Sequence, residues 1–248
     1  MLRLIRAGLA GLLASLLGCT HDLDRKPEPL SVEASYQLRF DGELVGHALF
    51  TLRTTTAGHY RIEAFTVPAG KMQRAADHEV LEVSEGRFDL QQVKPGYFEH
   101  SVLNSTGMGA IRMQFDWTGS QLRLTAEGNE RSITLLPNTQ DRLSYLLAAR
   151  QMVLGNAKSR TLPIATPEVT DENRLQRLGE AEIELPAGRY NAIEIERITP
   201  AAGERRSLWY REAVCPLPLR VEHQTDTHVV DMVLEHCQAT TETANREG

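Results

Sequence analysis

The sequence predicts a mainly β protein, a curved antiparallel sheet wrapped around one helix near residues 139–155. Three observations carry this prediction. From residue 31 onward, apolar residues recur at every second position, the period of a half-buried strand. Short turns containing Gly or Asp separate the runs, which makes neighbouring strands antiparallel hairpins. One stretch alone switches to helical spacing and is apolar round nearly its whole circumference. Long apolar strands do not alternate with helices, so a doubly wound fold is excluded.

Taken in order, residues 35–40 put Tyr36, Leu38 and Phe40 on one face. Asp41-Gly42 then tolerates the positive φ of a tight hairpin turn. Residues 44–53 form the return strand, Ala57-Gly58 the next turn, and residues 59–67 the third strand. The pattern continues through residues 80–83, 88–93, 97–103 and 110–117. Thr118-Gly119-Ser120 is a turn, residues 122–126 are a strand, and Ile133-Thr134-Leu135 closes the first half. The helix is expected over residues 141–154, with Asn138 or Thr139 able to cap it and Asp141 suited to its first turn. Leu143, Leu146, Leu147 and Leu154 form one stripe, Ala148, Ala149, Met152 and Val153 widen it, and Gly155 ends the helix. Such a helix must be covered on several sides, which places it inside the curve of the sheet. A polar loop over residues 166–173 follows. Ala181, Ile183 and Leu185 then alternate with Glu180, Glu182 and Glu184, and Pro186-Ala187-Gly188 makes the turn. Ile193 and Ile195 alternate with Glu194 and Glu196, two acids expected to face solvent. Residues 205–211, 217–224 and 229–236 complete a single domain over residues 31–238, and residues 239–248 read as a polar, disordered tail.

Without the first 18 of its 248 residues, a chain of about 230 buries roughly 70% of its unfolded surface, so the fold needs no metal or disulfide net. The net charge is −6, and residues 1–18 contain Arg3 and Arg6 but no acid. The remainder is therefore more negative still, which disfavours nucleic acid as a partner. Two arginines followed by an apolar run too short to span a bilayer mark residues 1–18 as a secretory signal. Its end, Leu16-Leu17-Gly18-Cys19, resembles a bacterial lipobox, which implies cleavage before Cys19 and acylation there. The expected partner is then the membrane, held through acyl chains worth about 0.8 kcal/mol per buried methylene. Thr20 stands where an aspartate favours inner-membrane retention in enterobacterial lipoproteins, which points to the outer membrane, facing the periplasm. Residues 19–30, with Pro27 and Pro29, read as the tether.

Candidate chemistry is sparse. Cys215 and Cys237 flank the last two strands and in an oxidising compartment are expected to pair, two buried free thiols being the alternative. Leu217, Leu219 and Val221 share parity with Cys215, whereas Val230, Met232 and Leu234 oppose Cys237. A bulge must therefore intervene, for which Pro216 and Pro218 are suited. His223, Asp226, His228, Asp231 and His236 crowd the last hairpin without the spacing of a metal site, so no metal or cofactor is expected. Ser144 and Asp141 lack a nucleophile elbow and are explained by capping.

The opening hairpin with Tyr36, Gly42 and Gly46 resembles the start of the bacterial envelope family known as domain of unknown function 3108. Gln140-Asp141-Arg142-Leu143-Ser144, Leu185-Pro186-Ala187-Gly188-Arg189-Tyr190, Trp209 and Leu217-Pro218-Leu219-Arg220-Val221 follow in the family's order. That family is similar in architecture to the lipoprotein carriers of the periplasm. The resemblance implies an incompletely closed half-barrel, or β-spiral, with an apolar concave face and no catalytic residues. The expected function is non-enzymatic binding or scaffolding in the envelope, with a lipid or an envelope protein as partner. The candidate apolar groove is Leu143, Leu146, Leu147 and Met152. The alternative is an envelope-modifying enzyme whose site is assembled from distant residues.

Overall fold

A computed structural model describes residues 29–70, 78–89, 91–105, 107–166, 170–198 and 203–241. The predicted signal, Cys19, the tether before residue 29 and the tail beyond residue 241 lie outside the described residues. The first wing holds β1 (Leu30–Phe40), β2 (Glu43–Thr54), β3 (His59–Pro68), β4 (Glu79–Phe88), β5 (Val93–Asn104), β6 (Gly107–Asp116), β7 (Gln121–Ala126) and β8 (Asn129–Thr134). Helix α1 (Ser144–Leu154) follows. The second wing holds β9 (Ser159–Ala165), β10 (Thr170–Leu185), β11 (Gly188–Ile198), β12 (Arg205–Arg211), β13 (Cys215–Gln224) and β14 (Val229–Thr241).

All fourteen strands join one antiparallel sheet in the order β8-β7-β6-β5-β4-β3-β2-β1-β14-β13-β12-β11-β10-β9. The first and last strands pair at its centre, and two meanders run outward to edge strands β8 and β9, the latter bridged by Gln140 at Ile164. The chain crosses from one edge to the other through α1, which packs on β5 of one wing and on β13, β10 and β9 of the other. The expected half-barrel around one helix is therefore the observed fold. Asp41 and Gly42 take φ of 49° and 81°, the tight hairpin turn that the sequence predicts.

The core lies between helix and sheet. Tyr36 is fully buried and its hydroxyl donates to Pro218 O at 3.0 Å; buried Tyr210 donates to Leu146 O at 2.8 Å. These bonds satisfy polar groups where water is excluded. The second of them locks the helix to the second wing, and the first joins β1 to β13.

Several elements depart from expectation. Residues 88–93 are not one strand: Asp89 Oδ1 accepts from Gln91 and Gln92 N–H, and this Asx turn divides β4 from β5. Strand β9 stands where the sequence shows no alternation, because Leu162, Pro163, Ile164 and Ala165 are all buried. Pro163 cannot donate to a ladder, which suits the edge position of β9. Strand β10 begins at Thr170, inside the stretch expected to be loop. Leu154 does not join the buried stripe; it is 54% exposed at the helix end. Glu194 and Glu196 do not project freely into solvent: Arg205 bridges them at 2.7 and 3.2 Å, and the side chain of Glu194 is 13% exposed. Strand β14 runs on to Thr241 because Leu30 and its neighbours in β1 supply a ladder for it, so residues 239–241 are strand rather than tail.

Candidate functional site

The start of α1 is held by a buried polar network. Asp141 Oδ1 accepts from the N–H groups of Leu143 and Ser144, both at 2.8 Å, and Ser144 Oγ accepts from Asp141 N–H at 2.8 Å. This reciprocal arrangement satisfies backbone donors that the first helical turn leaves unpaired. The cap is thus Asp141 rather than Asn138 or Thr139; Asn138 instead takes a left-handed φ of 62°. Ser84 Oγ donates to Asp141 Oδ2 at 2.7 Å and lies 3.1 Å from the Tyr60 hydroxyl, which ties the helix start to β3 and β4.

Burial pushes the Asp141 carboxyl up to about 6, against the opposing pull of its hydrogen bonds. The folded chain therefore retains a proton there that the unfolded chain releases near pH 4. Stability from this group is complete below pH 4 and is lost as pH rises toward 6, on the order of 3 kcal/mol in all. Asp141→Asn keeps an oxygen for the two N–H groups and cannot ionise. Urea titrations of the two proteins are expected to differ in slope against pH between 4 and 6, with the flatter profile in the variant. Parallel profiles would show that another group sets this dependence.

Beside this network a cavity of about 570 Å³ opens between the wings. Its apolar walls include Phe50, Phe98, Leu143, Leu146, Ile164 and Val221. Its polar groups are Glu82, His100, Arg142, Arg197 and Arg206, with the Tyr145 ring beside them. Glu82 Oε1 lies 3.0 Å from His100 Nδ1 and 3.4 Å from Arg142 Nη1. Arg197 Nε donates to Asn173 Oδ1 at 3.0 Å, and its guanidinium sits 5.2 Å above the Tyr145 ring. Arg206 Nη2 pairs with Glu204 Oε2 at 3.2 Å, and the same oxygen meets His223 Nε2 at 3.2 Å. Burial would raise the Glu204 carboxyl, but Arg206 and His223 outweigh it and hold the group below its usual range. On β14 the cavity reaches Met232, which pairs with Leu38 eight residues along β1 from Leu30. At about 3.3 Å per residue this is some 26 Å from Leu30.

Of the candidate groove residues, Leu143 and Leu146 line this cavity, while Leu147 and Met152 are buried in the core and do not. Strand parity carries a sequence signal for three of the charged residues. Arg197 continues the inward parity of Ile195, Arg206 that of Leu208 and Tyr210, and His100 that of Phe98.

Cys215 and Cys237 form a disulfide, with Cα atoms 5.9 Å apart. The parity conflict is resolved by bulges in both strands. The β1–β14 register shifts so that Glu235 is extra, which allows Val233 and Leu234 to be buried in succession. The β12–β13 register shifts between Trp209 and Arg211, and Cys215, Pro216, Leu217, Pro218 and Leu219 are all buried. Around the last hairpin, His228 pairs with Asp41 at 2.8 Å and His223 with Glu204 at 3.2 Å. Among the described residues no three His, Cys, Asp or Glu side chains come together as a metal site.

The family model described as a protein of unknown function, DUF3108, matches residues 35–235. The chain belongs to the DUF3108 family. Both wings of the cavity, α1 and Cys215 lie within the matched segment of this DUF3108 protein, and Cys237 falls just beyond it. No curated protein matches the chain. Among solved structures it is similar to a β-barrel-like protein of domain of unknown function DUF1849 from Brucella abortus. The two share 8% identity and a TM-score of 0.54 over 86% of this chain and 98% of that one. A candidate lipoprotein from Parabacteroides distasonis aligns at 12% identity over 85% of this chain and 95% of its own, with a TM-score of 0.28. The likeness to the Brucella protein shows that the DUF3108 chain shares its fold; the looser alignment adds nothing to that.

Proposed function

We propose that this protein is a non-enzymatic lipoprotein of the cell envelope that binds an apolar ligand in the hollow between its wings. It is held at the outer membrane, facing the periplasm, through acyl chains on Cys19. The observation that supports the ligand is the cavity of about 570 Å³, within the size range of sites for small organic molecules and walled by Phe50, Phe98 and Leu146. A sheet that wraps a helix completely would fill this space with side chains. Here Leu143 and Leu146, at the tightly held helix start, wall a hollow that the neighbouring side chains leave open. The Leu16-Leu17-Gly18-Cys19 sequence supports the anchor.

Titration of the full chain carrying Cys19→Ser with a fluorescent fatty acyl probe tests the ligand. Saturable binding is expected for this protein and its loss in Val221→Trp, which fills the cavity while the melting transition is retained. Equal binding by both would place the probe elsewhere and remove the reading. The anchor has its own test. Cells fed a clickable palmitate should label the wild-type protein and not Cys19→Ser, and the variant should leave the membrane fraction. Equal labelling of both would contradict acylation at Cys19.

A further inference from the structure

We propose, building on the ligand-binding reading, that the cavity selects a single-chain amphiphile with an anionic head, which Arg142, Arg197 and Arg206 hold while the tail lies on Phe50, Phe98 and Leu146. The first support is the parity of the strands. Inward positions of β11 and β12 are apolar at Ile195, Leu208 and Tyr210 and become cationic only where they reach the cavity, at Arg197 and Arg206. A core needs no charge there, and a charge on the inward face costs desolvation. Breaks of a local rule without a packing gain concentrate at functional sites.

The second support is the hydrogen-bonding balance. Arg206 Nε is buried and has no partner among the described residues, although Nη2 of the same group bonds Glu204. A buried N–H left unmade is costly, and a turn of this guanidinium toward a ligand oxygen in the cavity would satisfy it. Arg197 is already oriented, its guanidinium resting on the Tyr145 ring and fixed by Asn173. Guanidinium forks match the paired oxygens of carboxylates and phosphates, and they discriminate against neutral heads. An apolar wall beside three guanidinium groups thus fits one acyl tail with one anion. A carboxylate and a phosphate share this chemistry, and the test separates them.

Isothermal titration of the full chain carrying Cys19→Ser, at pH 8, would compare palmitate, 1-palmitoyl lysophosphatidate and monopalmitoylglycerol. The anionic ligands are expected to bind at least about tenfold tighter than the neutral one, and the better of the two anions identifies the head. The preference should vanish in Arg142→Gln with Arg206→Gln, with monopalmitoylglycerol still bound as the control for an intact cavity. Equal affinity for all three ligands in the unmutated rim would overturn the head-group assignment and leave the apolar site standing. Absence of binding by all three would overturn both.

Discussion

Leu147→Ala is expected to lower stability by about 2–5 kcal/mol, the usual cost of truncating a packed core leucine. Leu147 is 6% exposed on a helix whose Ser144, Tyr145, Leu146, Leu147, Ala148, Ala149 and Met152 are all buried. A helix on the outside of a sheet would bury one stripe; this one is covered by both wings, so removing the isobutyl group leaves a void that neither wing can close. Leu154 on the same helix is 54% exposed and supplies the control. Its replacement by Ala should stay within about 0.5 kcal/mol, as at other surface sites. Equilibrium urea unfolding of both variants checks the contrast. Losses below about 0.5 kcal/mol at Leu147 would mean that the helix does not carry the core.

Removing the Cys215–Cys237 disulfide is the second large effect. The bond closes a separation of 22 residues, for which the chain-entropy relation gives about 3 kcal/mol. Its position adds to that. The ladder between β13 and β14 ends with Arg220 opposite Val233, and beyond it the strands separate around the buried Pro216 and Pro218. The disulfide rejoins them where hydrogen bonds no longer do, at the centre of the sheet. For a domain of this size the double replacement by Ala should lower Tm by about 6–12 °C. Differential scanning calorimetry with and without reductant checks it; a reduced protein that melts with the oxidised one would show that the bond constrains nothing.

Much of the fold is legible in the sequence because most strands have one buried and one solvated face. Tyr36 and Leu38, or Ile193 and Ile195, declare such faces by period alone, whereas Phe40, past the register shift after Leu38, is 41% exposed. Where that condition fails, legibility fails with it. Strand β9 is buried along Leu162 to Ala165, on an edge that tolerates Pro163, and so shows no alternation. Strand β13 loses its period at the bulge through Pro216 and Pro218. The cap shifts to Asp141 because Ser84, a residue of β4, reaches it from 57 positions away.

The site divides in the same way. Leu143 and Leu146 belong to one helical stretch and can be read together. Arg142, Arg197 and Arg206 come from the helix start, β11 and β12, and their meeting depends on how two meanders curl around α1. Strand parity marks Arg197 and Arg206 as inward cations, but only the topology brings them to one rim. The convex face uses charge differently: Arg220 pairs with Glu222 and with Asp231 at 2.8 Å while lying over the Trp209 ring, an arrangement satisfied within the sheet.

The most direct test of the account is native mass spectrometry of the full chain carrying Cys19→Ser, incubated with excess palmitate and exchanged into volatile buffer. The account predicts one added palmitate on the folded protein, and its loss in Ile111→Trp, since Ile111 is a further wall residue of the cavity and the indole would fill it. The bare protein mass alone, at concentrations where the fold is intact, would contradict it.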